Sequence, residues 1–172
     1  VAEKHSCTVR VIVQGKGGHG AVPVRGEAMA TLGAVLRTLD RRRTPVHVTP
    51  VARQMLDMMA RTLPFPQGAV IGALRAPALT DPVLDLLGAQ GRQLDPLLHN
   101  TFSPTLVRGG KKINVIPGQI TLDLDGRLLP GYDRDDALHE LRSLLGDEVG
   151  LEVLQYDPDA PAADLARYET LA

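Results

Sequence analysis

Gln119-Ile120-Thr121-Leu122-Asp123-Leu124-Asp125-Gly126-Arg127-Leu128 is the stretch whose reading decides the fold. Apolar and polar residues alternate through it. Ile120, Leu122 and Leu124 fall on one side, and Thr121, Asp123, Asp125 and Arg127 on the other. A period of two over this length is a strand with one face on a core and one in water. Upstream, Cys7–Gln14 repeats the pattern, with Cys7, Val9, Val11 and Val13 inward and Thr8, Arg10 and Gln14 outward. Downstream, Ala137, Leu138, Leu141, Leu144 and Leu145 form the stripe of a helix from about Asp133 to Leu145, closed by Gly146. A last strand, Val149–Tyr156, follows.

Two further elements complete the order. Ala28, Leu32, Val35, Leu36 and Leu39 mark a helix over about Glu27–Arg41, stopped by Pro45. A short strand, Thr105–Val107, precedes the decisive one. The order β-α-β-β-α-β predicts an α+β, ferredoxin-like domain: a four-stranded antiparallel sheet with two helices on one face. Residues 44–100 read as a helical insertion between the first helix and the second strand. Thr49-Pro50 looks like a helix start, with Val51, Met55, Met58 and Met59 on its face. Asp81-Pro82 reads as a second start, and Leu84, Leu87, Leu94, Leu97 and Leu98 as a helix broken near Gly91. The expected domain is 1–157. Residues 158–172, Pro/Asp/Ala-rich and helix-like over 162–171, have no obvious partner.

The 172 residues make about one domain. A net charge of −1 supplies no field for nucleic acid or an anionic membrane. Arg41-Arg42-Arg43 is the only basic run and reads as a solvated helix end. The single cysteine, Cys7, excludes a disulfide framework, and no signal peptide or bilayer-length apolar run is visible, so a cytoplasmic location is expected. The five histidines have no zinc-ligand spacing, and neither G-x-S-x-G nor a phosphate-binding loop occurs.

Three residues stand out. His19 is presented between glycines in Gly15-Lys16-Gly17-Gly18-His19-Gly20, where backbone can approach a ligand closely; it also suits a plain surface turn. Asn114 stands at the mouth of Asn114-Val115-Ile116-Pro117-Gly118, where asparagine often only satisfies backbone groups. Arg127 lies on the polar strand face near Asp125 and Asp123; an ion pair there is the ordinary outcome, and a fork on a carboxylate the functional one.

Taken in order, Ala2-Glu3-Lys4, Gly15 to Pro23, Asn114 to Gly118 and Asp125-Gly126-Arg127-Leu128-Leu129-Pro130-Gly131 resemble the dimerisation (lid) domain of the zinc-dependent acetylornithine deacetylase / succinyl-diaminopimelate desuccinylase / carboxypeptidase / aminoacylase family. The resemblance implies the small domain of a two-domain hydrolase, and the fragment alone is expected to be inactive and to hold no metal. Two zinc ions are expected on the absent catalytic domain, toward which 158–172 would cross. It implies a homodimer, a substrate that is an N-acyl amino acid or peptide, and a catalytic His19 that hydrogen-bonds the developing oxyanion in the partner subunit's site. Asn114 and Arg127 would hold the substrate carboxylate. The long insertion resembles the larger carboxypeptidase-like and acyl-amino-acid-hydrolase-like members. The alternative is a stand-alone ferredoxin-like module for small-molecule binding or oligomerisation.

Overall fold

A computed structural model describes residues 3–158. The stretch 162–171 and nearly all of 158–172 lie outside the described residues. The central strand β1 spans His5–Gln14, where Cys7, Val9, Val11 and Val13 are fully buried, Ser6, Thr8, Arg10 and Ile12 are half-buried and Gln14 is exposed. Two-residue β2 (Gly18–His19) and helix α1 (Ala28–Arg41) follow. The insertion contributes α2 (Pro50–Thr62), α3 (Gln67–Ala73), α4 (Pro77–Leu87) and α5 (Ala89–Leu98). The chain returns through β3 (Thr101–Gly109), β4 (Val115–Ile116), β5 (Gln119–Leu128), α6 (Arg134–Leu145) and β6 (Gly150–Tyr156).

The main sheet has the order β3-β5-β1-β6, antiparallel throughout, as the ferredoxin-like plan requires. β1 and β5 run in continuous register from His5 opposite Leu128 to Gln14 opposite Gln119. That register puts Cys7, Val9, Val11 and Val13 of β1 on one face with Ile120, Leu122, Leu124 and Leu128 of β5, in the core beneath α1 and α6; Ile12 is on the opposite face. Leu32, Val35, Ala137 and Leu141 fill the layer between helices and sheet. Each fully buried leucine there contributes about 1.5–3 kcal/mol. Gly126 is fixed by packing: a Cβ at that position would lie 2.2 Å from the Cys7 carbonyl and 3.0 Å from the Phe102 ring. α6 begins one residue later than the pattern suggests, because Asp133 is its cap. The Asp133 carboxylate accepts from the Asp135 and Asp136 amides, and Asp136 accepts from the Asp133 amide.

The insertion is a separate layer with its own core of Leu56, Ile71, Leu74, Leu84 and Leu98. It has four helices where the sequence pattern suggested two. Thr49 does cap α2, accepting from the Ala52 amide. α4, however, starts at Pro77, and Pro82 lies inside it. The break comes at Gly88, whose φ of +55° lies in the left-handed region, rather than at Gly91.

Candidate functional site

Two glycine-containing segments, distant in sequence, meet at one end of the sheet. Gly18 pairs with Ile116 and His19 with Val115 in the β2–β4 ladder. The Gly15 amide donates to the Gly118 carbonyl and the Gly20 amide to the Asn114 carbonyl, both at 2.8 Å. Gly17 takes φ +67° with its Cα side against the Gly118 backbone, where a Cβ would be 3.2 Å away. His19 and Asn114 therefore share one tip, held by main-chain bonds.

The His19 ring is exposed and oriented. Its Nδ1 accepts from the Ala21 amide at 3.2 Å, while the Val22 amide donates to the His19 carbonyl at 2.9 Å. An accepting Nδ1 places the proton of the neutral ring on Nε2. The outward nitrogen is thus a donor. The Asn114 side chain is also exposed and has no hydrogen-bond partner among the described residues. Around the pair stand uncovered apolar side chains: Val22 and Val115 are 62% and 44% exposed, and Ile113 is fully so.

Arg127 is elsewhere. It lies near the other end of β5, eight residues from Gln119, or about 26 Å along an extended strand. Its guanidinium forks onto the Asp125 carboxylate, Nε at 3.1 Å and Nη2 at 3.2 Å. Asp123 is not its partner. That carboxylate, only 6% exposed, is held by Arg10 through two bonds of 2.7 and 3.0 Å and by Arg108. The Arg10 hydrogen bonds, reinforced by Arg108, outweigh burial and hold Asp123 at about 2.

Charge reading of the sequence missed a polar seam between insertion and sheet. Arg43 leaves the run read as a solvated helix end and bridges Asp85 at 2.8 Å and Asp95 at 3.2 Å. His99, 1% exposed, lies between Asp95 at 2.6 Å and Asp81 at 3.2 Å. His47 meets the buried Glu140 at 2.6 Å, and Asn100 donates to the same oxygen at 3.0 Å while its own Oδ1 accepts from the Leu129 amide. Burial raises the Asp95 carboxyl, but the hydrogen bond from His99 and the Arg43 charge bring it below its ordinary value. A cleft of about 420 Å³ opens beside this seam, and neither His19, Asn114 nor Arg127 lines it. Among the described residues no group of three or more His, Cys, Asp or Glu could hold a metal ion. No helix among them is long and apolar enough to cross a membrane.

Comparison with known proteins agrees with this architecture. A family profile described as the peptidase dimerisation domain of the M20 peptidases matches residues 1–151. "Probable carboxypeptidase S-like 2" of Dictyostelium discoideum is 24% identical over 86% of this chain and 28% of its own length. Human N-fatty-acyl-amino acid synthase/hydrolase PM20D1 is 24% identical over 92% of this chain and 32% of its own length. The chain thus spans about a third of the curated relatives it matches. An aminohydrolase, by its assigned name, from methicillin resistant Staphylococcus aureus has the same fold, with a TM-score of 0.51 at 18% identity over 99% of this chain and 35% of that one. The chain belongs to the dimerisation-domain family of the M20 peptidases.

Proposed function

We propose that this chain is the dimerising and substrate-recognising domain of a zinc-dependent hydrolase that cleaves the amide bond of N-acyl amino acids or peptides. The zinc ions and the attacking water belong to a catalytic domain outside the described residues, and this chain alone is inactive. The observation that carries the reading is the His19 ring. Its Nδ1 is tied to the Ala21 amide, which leaves Nε2–H as an outward donor on a tip held by backbone bonds. Such a donor suits an oxygen that gains charge as a carbonyl is attacked, because it needs no reorganisation at that moment. Asn114, on the same tip, supplies a second polar contact to the substrate. The uncovered Val22, Ile113 and Val115 favour a tip that enters another surface rather than water.

Arg127 serves the substrate carboxylate, which replaces or shares Asp125 in its fork. Arg127 is about 26 Å along β5 from Gln119, with the His19 tip beyond that end, so it cannot meet the same substrate from the same chain. A homodimer resolves this: Arg127 acts in its own subunit's site and His19 with Asn114 in the partner's. The β3 edge supports such a pairing. Its residues from Ser103 to Gly109 are exposed, Leu106 and Val107 are 44% and 51% uncovered, and an edge strand presents unpaired backbone groups to a second copy. The names of the relatives, a carboxypeptidase and an N-fatty-acyl-amino acid hydrolase, are in keeping with amide substrates that end in a carboxylate.

The test is His19→Ala in the full-length enzyme. Loss of one oxyanion donor should lower kcat by about 10²–10³-fold with metal content unchanged. An unchanged kcat would remove His19 from the reaction.

A further inference from the structure

We infer that Lys4 is a second cation of the carboxylate site that Arg127 begins, so that the substrate's anionic group is held between an ammonium and a guanidinium. The inference rests on the reading of Arg127 given above. The placement comes from the sheet. Ser6 on β1, Arg127 on β5 and Thr101 on β3 are neighbours in register across three strands. Lys4, two residues before Ser6, has the same alternation. Its Nζ reaches past the end of β5 and donates to the Thr101 hydroxyl at 3.3 Å and to the His99 carbonyl at 2.9 Å. The ammonium therefore sits at the Arg127 end of the sheet, with one of its three donors unassigned.

The buried ammonium is short of water, and an anion beside it would offset what burial removes. Burial strips water from the Lys4 amine and lowers it to about 8; Asp95 counters this and Arg127 adds repulsion. The nearby acids are already engaged: Asp125 by Arg127, and Asp95 by Arg43 and His99. A desolvated ammonium within electrostatic reach of a second cation is relieved by a carboxylate brought between them. A lysine that only pinned the insertion through the His99 carbonyl would not respond to such a ligand.

The test uses the full-length enzyme that contains this chain, with N-acetyl-L-leucine and N-acetyl-L-leucinamide as probes. The Lys4 side chain is followed by NMR through a pH titration. The acid should move the Lys4 midpoint upward from about 8, and the amide should leave it in place. Lys4→Met should weaken binding of the acid about tenfold to a hundredfold, the worth of one charge-assisted hydrogen bond, and leave the amide unaffected. Lys4→Arg should restore binding of the acid. A Lys4 midpoint that ignores the acid, or equal weakening for acid and amide, would overturn the inference; the wild-type titration decides even where Lys4→Met does not fold. Arg127→Gln separates the two readings. If it binds the acid normally while Lys4→Met does not, the Arg127 assignment falls and Lys4 stands. Weakening in Arg127→Gln alone removes only Lys4.

Discussion

Two inactive full-length variants, His19→Ala and Arg127→Ala, should restore each other's activity when combined in one dimer. The reason is the length of β5. Arg127 lies eight strand residues, about 26 Å, from Gln119, the end of β5 beyond which the His19 tip is held. In an N-acyl amino acid the carboxylate lies within roughly 5 Å of the scissile carbonyl, a few bond lengths away. One chain cannot span both groups of one substrate, so in the proposed dimer each site draws Arg127 from one subunit and His19 from the other. In a mixed dimer, one site then keeps both residues and the other loses both. Free reassociation of a 1:1 mixture makes half of the dimers mixed, so about a quarter of the sites are intact. The assay is steady-state turnover of co-expressed, differently tagged variants, with the mixed dimer purified through both tags. The mixed dimer should reach about half of wild-type kcat, against the background of about 10⁻²–10⁻³ left by His19→Ala alone. A mixed dimer no more active than its parents would mean that both residues serve the same site from one chain, and the geometric reasoning would fail.

Other consequences follow from the sheet. Asp123 is held near 2, below the ordinary carboxylate value, so its contribution to stability is complete above about pH 4 and is lost as pH falls toward 2. Asp123→Asn should flatten the stability–pH curve in that window, measured by urea unfolding; an unchanged slope would contradict the Arg10–Asp123–Arg108 assignment. Leu106→Lys with Val107→Lys should convert the proposed dimer to monomer in sedimentation, because a self-complementary edge brings the new charges of both copies together. A dimer that persists would move the interface away from β3.

The sequence made the sheet legible where one face is buried. In β1 and β5 most residues under α1 and α6 are apolar and most of their neighbours polar, Ile12 being an apolar exception, so period two was visible in both. β3 was harder. Only Thr105–Val107 stood out, whereas the strand runs Thr101–Gly109, because an edge strand with almost every residue exposed has no apolar alternation to read. In the insertion, proline and glycine suggested breaks that local packing relocated. The Thr80 hydroxyl donates to the Leu74 carbonyl at 3.0 Å at the start of α4, ahead of Asp81-Pro82. A Cβ on Gly91 would lie 2.0 Å from the Leu84 carbonyl, so that glycine serves the contact between α4 and α5 rather than a bend.

The candidate residues were legible one by one, and their arrangement was not. His19, Asn114 and Arg127 could each be singled out by local sequence. That His19 and Asn114 share a tip depends on two-residue strands pairing Gly18 with Ile116 and His19 with Val115, 98 and 96 positions apart, for which no periodicity exists. That Arg127 lies at the opposite end depends on the β1–β5 register. The buried His47–Glu140–Asn100 and Arg43–His99–Asp95 contacts were equally hidden, because each joins residues of the insertion boundary to distant elements.

The most direct measurement is a crystal structure of the full-length dimer with a tetrahedral phosphinate analogue of the substrate. His19 Nε2 of one subunit should lie about 2.7–3.1 Å from the analogue's oxyanion in the other subunit's site, with Arg127 of that other subunit on the carboxylate. An analogue bound with His19 turned to solvent, or with His19 and Arg127 supplied by the same chain, would contradict the central claim.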